Sequence, residues 1–251
     1  MVVFLPQRAS ERLPRPERFA SEGPEGKSVM VVGGLDGIGR AAARVFAEAG
    51  ARVMVVGATE TEVVRALGDL CTATDDEDAL QGVEADLASL DDVRYAFQEA
   101  DRLFGGVDAL LYFVDGNPGS VTESDSDEIA HALDAGVRGY VVACQEALAR
   151  MRRRGAGHII TVAPRSAPGL DRTSDVYAIT RAAVGAFTES LGAKASSVGV
   201  HISLIEPDLS RSASEDDEHY GPVAACLLQC VTRGTQARRV FVHAAPRRTV
   251  L

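Results

Sequence analysis

Tyr177 and Arg181 stand four residues apart in the stretch Tyr177-Ala-Ile-Thr-Arg181. On a helix this spacing places both side chains on one face. A phenol ionises only near pH 10 unless a neighbouring cation stabilises the tyrosinate. A tyrosine supported in this way suits the transfer of a proton to a carbonyl oxygen during hydride transfer. These two residues are therefore the first candidates for catalysis.

A glycine-rich run, Val32-Gly-Gly-Leu-Asp-Gly-Ile-Gly39, lies between a predicted strand and a predicted helix. This context is typical of a loop that binds the pyrophosphate of a dinucleotide. We expect Gly33 to permit the tight turn, Gly37 to let the backbone approach the phosphates, and Gly39 to let the helix pack on the strand. The alternative is a tight turn that has kept its shape without a ligand.

Alternating strands and helices must position these residues. The predicted strands are 28–32, 51–56, 82–85, 109–114, 158–162, 200–204 and 239–243, and the predicted helices are 38–49, 60–70, 90–104, 126–153, 174–197 and 223–231. This order predicts one α/β domain, a doubly wound Rossmann-type fold with a mainly parallel seven-stranded sheet and helices on both faces. We assign it to residues 27–251. Residues 1–26, rich in Pro, Arg and Glu, are predicted to be an irregular extension or to lie over another surface.

The composition excludes several classes of function. The chain has 251 residues and a formal net charge of −10, which argues against binding nucleic acid or an anionic membrane. No apolar run approaches the roughly 20 residues that span a bilayer. The four cysteines and five histidines lack metal-site or redox spacing. We therefore expect no metal, reduced thiols and a cytoplasmic location.

The residues expected near the adenosine leave the cofactor open. Asp86 follows the third predicted strand, where its side chain would either accept a hydrogen bond from adenine or cap the turn before Ser89. After the second strand, residues 57–59 include neither the acid that favours NAD nor the arginine that favours NADP. Asp36 would repel a 2′-phosphate only mildly, so the choice between NAD and NADP stays unresolved.

With the glycine loop, Asp86 and Tyr177 in this order, the chain resembles the short-chain dehydrogenase/reductase family from about residue 28 to its C-terminus. The resemblance implies a nicotinamide cofactor, NAD or NADP, and the oxidation of small alcohols or the reduction of carbonyls. It also implies an oligomer. This would be a homodimer or homotetramer built on the two long helices, or a hetero-oligomer with a related active subunit.

The resemblance carries site residues over unevenly. Tyr177 matches the catalytic tyrosine, and Arg181 stands where the family has a lysine that holds the ribose. Pro164 falls where a serine binds the substrate oxygen, and Gly136 where an asparagine supports a proton relay. The cofactor-binding residues that the family pattern and these positions imply are Gly33, Asp36, Gly37, Ile38, Gly39, Thr59, Asp86, Leu87, Tyr177, Arg181 and Ser212.

These replacements differ in their chemical consequence. Arg181 keeps the positive charge, but its always-protonated guanidinium cannot pass a proton on. Pro164 has no hydrogen-bond donor, so Ser166, two residues further on, is the nearby substitute for binding substrate. Gly136 offers nothing to a relay and costs about 1 kcal/mol in a helix.

Two further features have alternative interpretations. Tyr112 and Phe113 replace the two asparagines that the family has after its fourth strand, and they would either narrow the cofactor slot or simply pack in the core. The polar segment 210–221 stands where a substrate lid would lie, and its acids at 215–218 are typical of a solvated loop. Such a short segment predicts an open cleft.

Two hypotheses of function remain from the sequence. The first is an NAD(P)-dependent oxidoreductase that uses Tyr177, Arg181 and Ser166 on a small substrate with weakened catalysis. The second is a catalytically silent or non-redox member of the fold, for example a structural subunit paired with an active relative.

Overall fold

The computed structural model describes residues 2–3, 23–114, 124–164, 175–208, 217–233 and 240–243. The strands in these ranges are β1 (Val2–Val3), β2 (Ser28–Val32), β3 (Arg52–Gly57), β4 (Leu80–Glu84), β5 (Ala109–Phe113), β6 (Gly157–Val162), β7 (Val200–Asp208) and β8 (Val240–His243). The α-helices are α1 (Ile38–Glu48), α2 (Glu60–Leu70), α3 (Leu90–Phe104), α4 (Ser126–Leu133), α5 (Tyr140–Arg154), α6 (Asp175–Ala195) and α7 (Asp217–Arg233).

All eight strands form one sheet in the order β1-β4-β3-β2-β5-β6-β7-β8. β2 to β8 run parallel, and the two-residue β1 pairs with β4 in the antiparallel direction. The chain order reverses between β2 and β5, which makes their carboxyl ends the switch point where ligands bind in such folds. The predicted doubly wound α/β architecture is confirmed. The observed sheet has eight strands where seven were predicted. The additional strand is β1, which lies in the segment 1–26 that was predicted to be irregular.

The core consists of two apolar layers because each central strand is buried on both faces. Val29 and Val31 of β2 belong to the layer with α1, α2 and α7, whereas Met30 and Val32 belong to the layer with α3, α5 and α6. Successive strand residues point to opposite faces, so an uninterrupted apolar run is what a sheet covered on both sides requires. Among the described residues, no helix is both long and apolar enough to cross a membrane.

The predicted long helix 126–153 is wrong in one respect, since α4 and α5 are joined by a π-helical turn, Asp134–Gly139. This turn packs closely against its neighbours. A Cβ on Gly139 would lie 2.2 Å from the Leu87 carbonyl oxygen, and one on Gly136 would lie 2.6 Å from Cγ2 of Thr180. Gly136 therefore has a packing reason of its own in this fold.

Two of the later boundaries also differ from the prediction. α7 begins at Asp217 and not at residue 223, so the last five residues of the polar segment predicted over 210–221, including its acids at 217 and 218, are helical. β7 continues to Asp208, beyond the predicted end at residue 204, because β8 pairs with its final four residues. Helix α7 thus starts close to the switch-point edge of the sheet.

A buried histidine lies in the sheet at the opposite edge. His158 on β6 is 4% exposed, and its Nε2 shares a 3.1 Å hydrogen bond with the Ser203 hydroxyl on β7. Burial, with smaller contributions from His201 and Lys27, lowers the pKa of His158 to about 3. The folded protein therefore keeps this imidazole neutral at pH values where an unfolded chain protonates it.

We expect Gly136→Ala to destabilise the protein by about 1–3 kcal/mol because the added methyl group meets the buried Thr180 side chain. Gly68→Ala is the matched control: Gly68 lies in α2 with nothing within 4 Å of its Cβ position. The free energy of unfolding of this control should rise by about 0.5–1 kcal/mol, because alanine favours the helix more than glycine does. Urea denaturation measures both free energies of unfolding, and equal stabilisation by the two substitutions would contradict the packing argument.

Lowering the pH from 7 to 5 should reduce the free energy of unfolding through His158 by about 2 kcal/mol. The sign follows because the folded-state pKa is depressed to about 3. Stability from this group is then full above the unfolded pKa of about 6.5 and is lost as the pH falls below it. Denaturation of wild type and His158→Gln at both pH values isolates the contribution. An identical pH dependence in the two proteins would rule it out.

Candidate active site

The glycine loop has the backbone geometry that its sequence predicted. Gly33 and Gly34 have φ values of 74° and 64°, in the left-handed region that favours glycine. A Cβ on Gly39 would lie 2.4 Å from the Gly33 carbonyl oxygen, so helix α1 meets the loop too closely for any side chain there. In the part of the chain that is described, the Ile38 N–H at the start of α1 donates to no acceptor. This loop and helix end can accept an anionic group.

Tyr220 of α7 lies against this loop, and sequence reasoning did not identify it. A Cβ on Gly37 would lie 3.3 Å from the Tyr220 hydroxyl oxygen and 3.4 Å from two of its ring carbons. The contact arises because α7 begins soon after the end of β7 and packs along α1. A phenol ring therefore lies against Gly37, the glycine that was expected to let the backbone approach the phosphates.

At the end of β3, several side chains surround Gly57. A Cβ there would lie 2.9 Å from Leu35 Cδ1 and 3.0 Å from Glu62 Oε2. Thr59 is the N-cap of α2 and accepts a hydrogen bond from the Glu62 backbone N–H. The Thr59 hydroxyl, which was predicted to contact the cofactor, thus caps the helix in this structure.

Asp36 and Arg65 form a bridge between the glycine loop and α2. The Arg65 guanidinium donates to Asp36 Oδ1 at 2.7 Å, and both side chains are more than half exposed. The negative charge that was expected to repel a 2′-phosphate is thus paired.

Asp86 has the geometry of a turn residue. Its Oδ1 accepts from the Ala88 N–H at 2.8 Å, and its carbonyl oxygen accepts from the Ser89 N–H at 2.9 Å. The side chain is exposed, and the neighbouring Leu87 is packed against the core. This is the capping alternative, and within the described residues the second carboxylate oxygen of Asp86 accepts no hydrogen bond.

Tyr112 and Phe113 point to opposite faces of the sheet. Tyr112 is 1% exposed, donates to the Ala135 carbonyl oxygen at 3.3 Å and packs edge-on against Tyr140 with ring centroids 4.9 Å apart. Phe113 is 2% exposed and lies under Gly34, where a Cβ would approach its side chain to 3.1 Å. The packing interpretation therefore accounts for both aromatic residues.

Helix α6, which carries Tyr177 and Arg181, is fixed by a buried network of hydroxyl groups. The Tyr140 hydroxyl on α5 shares hydrogen bonds with Thr161 of β6 at 2.5 Å and with Thr188 of α6 at 2.6 Å. Burial raises the pKa of Tyr140 well above its ordinary value, so this phenol remains neutral. The network ties α5 and α6 to the sheet below the candidate site.

Tyr177 lies in the first turn of α6, close to the carboxyl end of β6. Its side chain is buried, and its hydroxyl donates a 2.7 Å hydrogen bond to the Pro164 carbonyl oxygen. Pro164, which lacks a side-chain donor, thus contributes its backbone carbonyl to the phenol. This interaction holds the Tyr177 proton toward the sheet.

Arg181 forms an ion pair that the sequence reasoning missed. Its guanidinium donates to Glu206 Oε1 at 2.9 Å, and the Glu206 side chain is 2% exposed. Glu206 stands near the end of β7, before Pro207, and an acid directly after the apolar pair Leu204-Ile205 was the available signal. The charge expected to support Tyr177 is therefore balanced by a buried carboxylate.

The remaining predicted residues are distributed as follows. Ser166 and Ser212 lie outside the described residues, as do the acids at 215 and 216. Gly136 lies in the π-helical turn and packs against Thr180. Thr180 belongs to α6, the helix that also carries Tyr177. The structure thus brings together the glycine loop, Tyr220, Tyr177 and the Arg181–Glu206 pair at the carboxyl edge of the sheet.

Solved structures with the same fold include an L-sorbose reductase from Gluconobacter frateurii, complexed with NADPH and L-sorbose. It is 21% identical, with a TM-score of 0.75 over 91% of this chain and 99% of that one. A 3-ketoacyl-(acyl-carrier-protein) reductase from Brucella melitensis, complexed with NADH, is also 21% identical, with a TM-score of 0.73 over 89% of this chain and 99% of that one.

Relatives by sequence include an uncharacterized oxidoreductase from Staphylococcus aureus strain N315, 27% identical over 74% of this chain and 79% of the relative. A (+)-cis,trans-nepetalactol synthase from Nepeta racemosa is 28% identical over 74% of this chain and 68% of the relative. The family model described as short chain dehydrogenase matches residues 27–219, which include the glycine loop, Tyr177 and the Arg181–Glu206 pair. The chain therefore belongs to the short-chain dehydrogenase family.

Proposed function

We propose that this protein is an NAD(P)-dependent oxidoreductase that acts on a small alcohol or carbonyl substrate with weakened catalysis. The observation that carries the proposal is Tyr177 at the carboxyl edge of the sheet, the edge that also bears the glycine loop. A phenol and a phosphate-binding loop at one switch point are the minimum that such a reaction requires from the protein.

The backbone of the glycine loop fits a dinucleotide. The two left-handed glycines, the close packing at Gly39 and the Ile38 N–H are the features a pyrophosphate needs. Two of the similar structures are named as reductases in complex with NADPH or NADH, which supports the same class of cofactor here. When bound, a nicotinamide would supply or accept the hydride.

The residues of this chain would handle the proton. Tyr177 holds it on its hydroxyl oxygen and would give it to the substrate oxygen after leaving the Pro164 carbonyl. Arg181 would orient and support the phenol, although Glu206 balances its charge. An ion pair acts as a dipole and stabilises a tyrosinate less than an isolated cation does. This is the physical reason for expecting weakened catalysis.

A second candidate is a non-redox or silent member of the family, including a subunit that supports an active relative. Two observations favour it: Tyr220 lies against Gly37, and Arg181 is bound to Glu206. One sequence relative is named as a synthase and not as a dehydrogenase or reductase, which is consistent with a changed chemistry on this fold.

Tyr177→Phe should reduce the turnover of ketone reduction by about 10²–10⁴-fold, because it removes the proton donor. Binding of NADH or NADPH, followed by fluorescence, should be retained because the glycine loop is unchanged. The control is Tyr95→Phe on α3, where the side chain is 38% exposed, and its turnover should equal that of wild type. Unchanged turnover in Tyr177→Phe would remove this residue from the mechanism, and failure of both dinucleotides to bind at millimolar concentration would favour the second candidate.

Glu206→Gln should raise the rate of alcohol oxidation at pH 7 by about threefold or more, because Arg181 then keeps its hydrogen bond but loses the opposing charge. The uncompensated cation favours the tyrosinate, so the rise in rate with pH should begin at a lower pH. Glu48→Gln on α1, an exposed acid at the other edge, is the control for charge removal. The measurement is the rate of alcohol oxidation from pH 6 to 10 for wild type and both variants. If the profiles of wild type and Glu206→Gln superimpose, the Arg181–Glu206 pair has no role in the reaction.

A further inference from the structure

Glu62 of α2 has its carboxylate at the carboxyl end of β3. Its Oε2 lies 3.0 Å from the position that a Cβ on Gly57 would occupy, and it accepts a 3.0 Å hydrogen bond from the Ala58 N–H. The end of the second parallel strand along the chain is where dinucleotide-binding folds use an acid for the adenosine ribose. The carboxylate of Glu62 therefore lies beside the strand end where such an acid is expected.

The packing around Gly57 explains why the acid comes from the helix and not from the strand. Any side chain at this position would meet Leu35 Cδ1 at 2.9 Å and Val63 Cγ2 at 3.0 Å. Leu35 and Val63 are both buried. An acid at residue 57 would require these side chains to shift, whereas Glu62 in the first turn of α2 provides a carboxylate without such a shift.

The helix cap fixes the direction of this carboxylate. The Thr59 hydroxyl accepts from the Glu62 backbone N–H at 3.3 Å, while Glu62 Oε2 reaches back to the N–H of Ala58. Both interactions anchor the side chain at the start of α2. Within the described residues, Glu62 Oε1 forms no hydrogen bond, and the side chain is only partly buried. That oxygen is available to a ligand hydroxyl.

The charges nearby favour a hydroxyl over a phosphate. The nearest described cation on the same helix, Arg65, is paired with Asp36 at 2.7 Å. Its positive charge is thereby balanced, and the two acids in the first turn of α2, Glu60 and Glu62, leave this end of β3 negative. A carboxylate accepts hydrogen bonds from ribose hydroxyls and repels a 2′-phosphate.

We propose that Glu62 accepts hydrogen bonds from the adenosine ribose hydroxyls and selects NAD(H) over NADP(H). This inference rests on the proposed function, because it assigns a specificity residue to the same dinucleotide site. The family pattern places the specificity residue within residues 57–59, whereas Glu62 lies three residues further along the chain.

The test is direct binding of NADH and NADPH to the full chain, followed by cofactor fluorescence and without substrate. Wild type should bind NADH about tenfold or more tightly than NADPH. Glu62→Gln should weaken NADH by about 10–100-fold, since a hydrogen bond to a charged group is lost. The same substitution should leave NADPH unchanged or tighter. Glu60→Gln, an exposed acid in the same helical turn, is the matched control and should keep the wild-type ratio.

The ratio of the two affinities separates the inference from a general loss of folding, which would weaken both cofactors alike. If NADH binds equally well to wild type and Glu62→Gln, the role of Glu62 is overturned and the proposed function stands. Suppose that Glu62→Gln binds NADPH more tightly than wild type and that adding Arg65→Ala removes this gain. That result would also overturn the role of Glu62, because Arg65 would then be the specificity residue. Absence of binding by both cofactors in wild type would overturn the proposed function together with this inference.

Discussion

The contact between Gly39 and the Gly33 carbonyl determines how the whole nucleotide side of this protein is arranged. A Cβ at Gly39 would come within 2.4 Å of that oxygen, so only glycine lets α1 lie this close to β2. Because α1 lies there, α7 can pack along it and bring Tyr220 to the glycine loop. The same placement of α1 lets Leu35 fill the space beside Gly57. The missing side chain at Gly39 thus bears on the positions of Tyr220 and Leu35.

Local patterns predicted most of the architecture. The apolar runs at 28–32 and 109–114 predicted the strands that became β2 and β5, and the helix predicted over 90–104 is α3 with the same bounds. The π-helical turn was not predictable in this way, since it depends on the approach of Gly139 to the Leu87 carbonyl. Contacts between distant segments leave no periodic signal in the chain.

In the candidate site, too, the sequence predicted what lies within one helix and not the contacts between distant segments. The spacing of Tyr177 and Arg181 predicted that they share a helix, and both lie in α6. Glu206 and Tyr220 approach Arg181 and Gly37 only through the order of the strands, which places the ends of β6, β7 and β2 at one edge. Glu206 directly follows the apolar pair Leu204-Ile205 in β7, and this was a signal, because a buried carboxylate requires a partner. Tyr220 had no comparable signal.

The short strand β1 also affects the outer border of the sheet. Val2 and Val3 pair with Val83 and Gly82 of β4, which would otherwise be the last strand on that side. An uncovered outer strand presents unpaired amide and carbonyl groups that can recruit a strand from another molecule. Because Val2 and Val3 pair with part of that border, fewer backbone groups of β4 are left for a strand from another molecule.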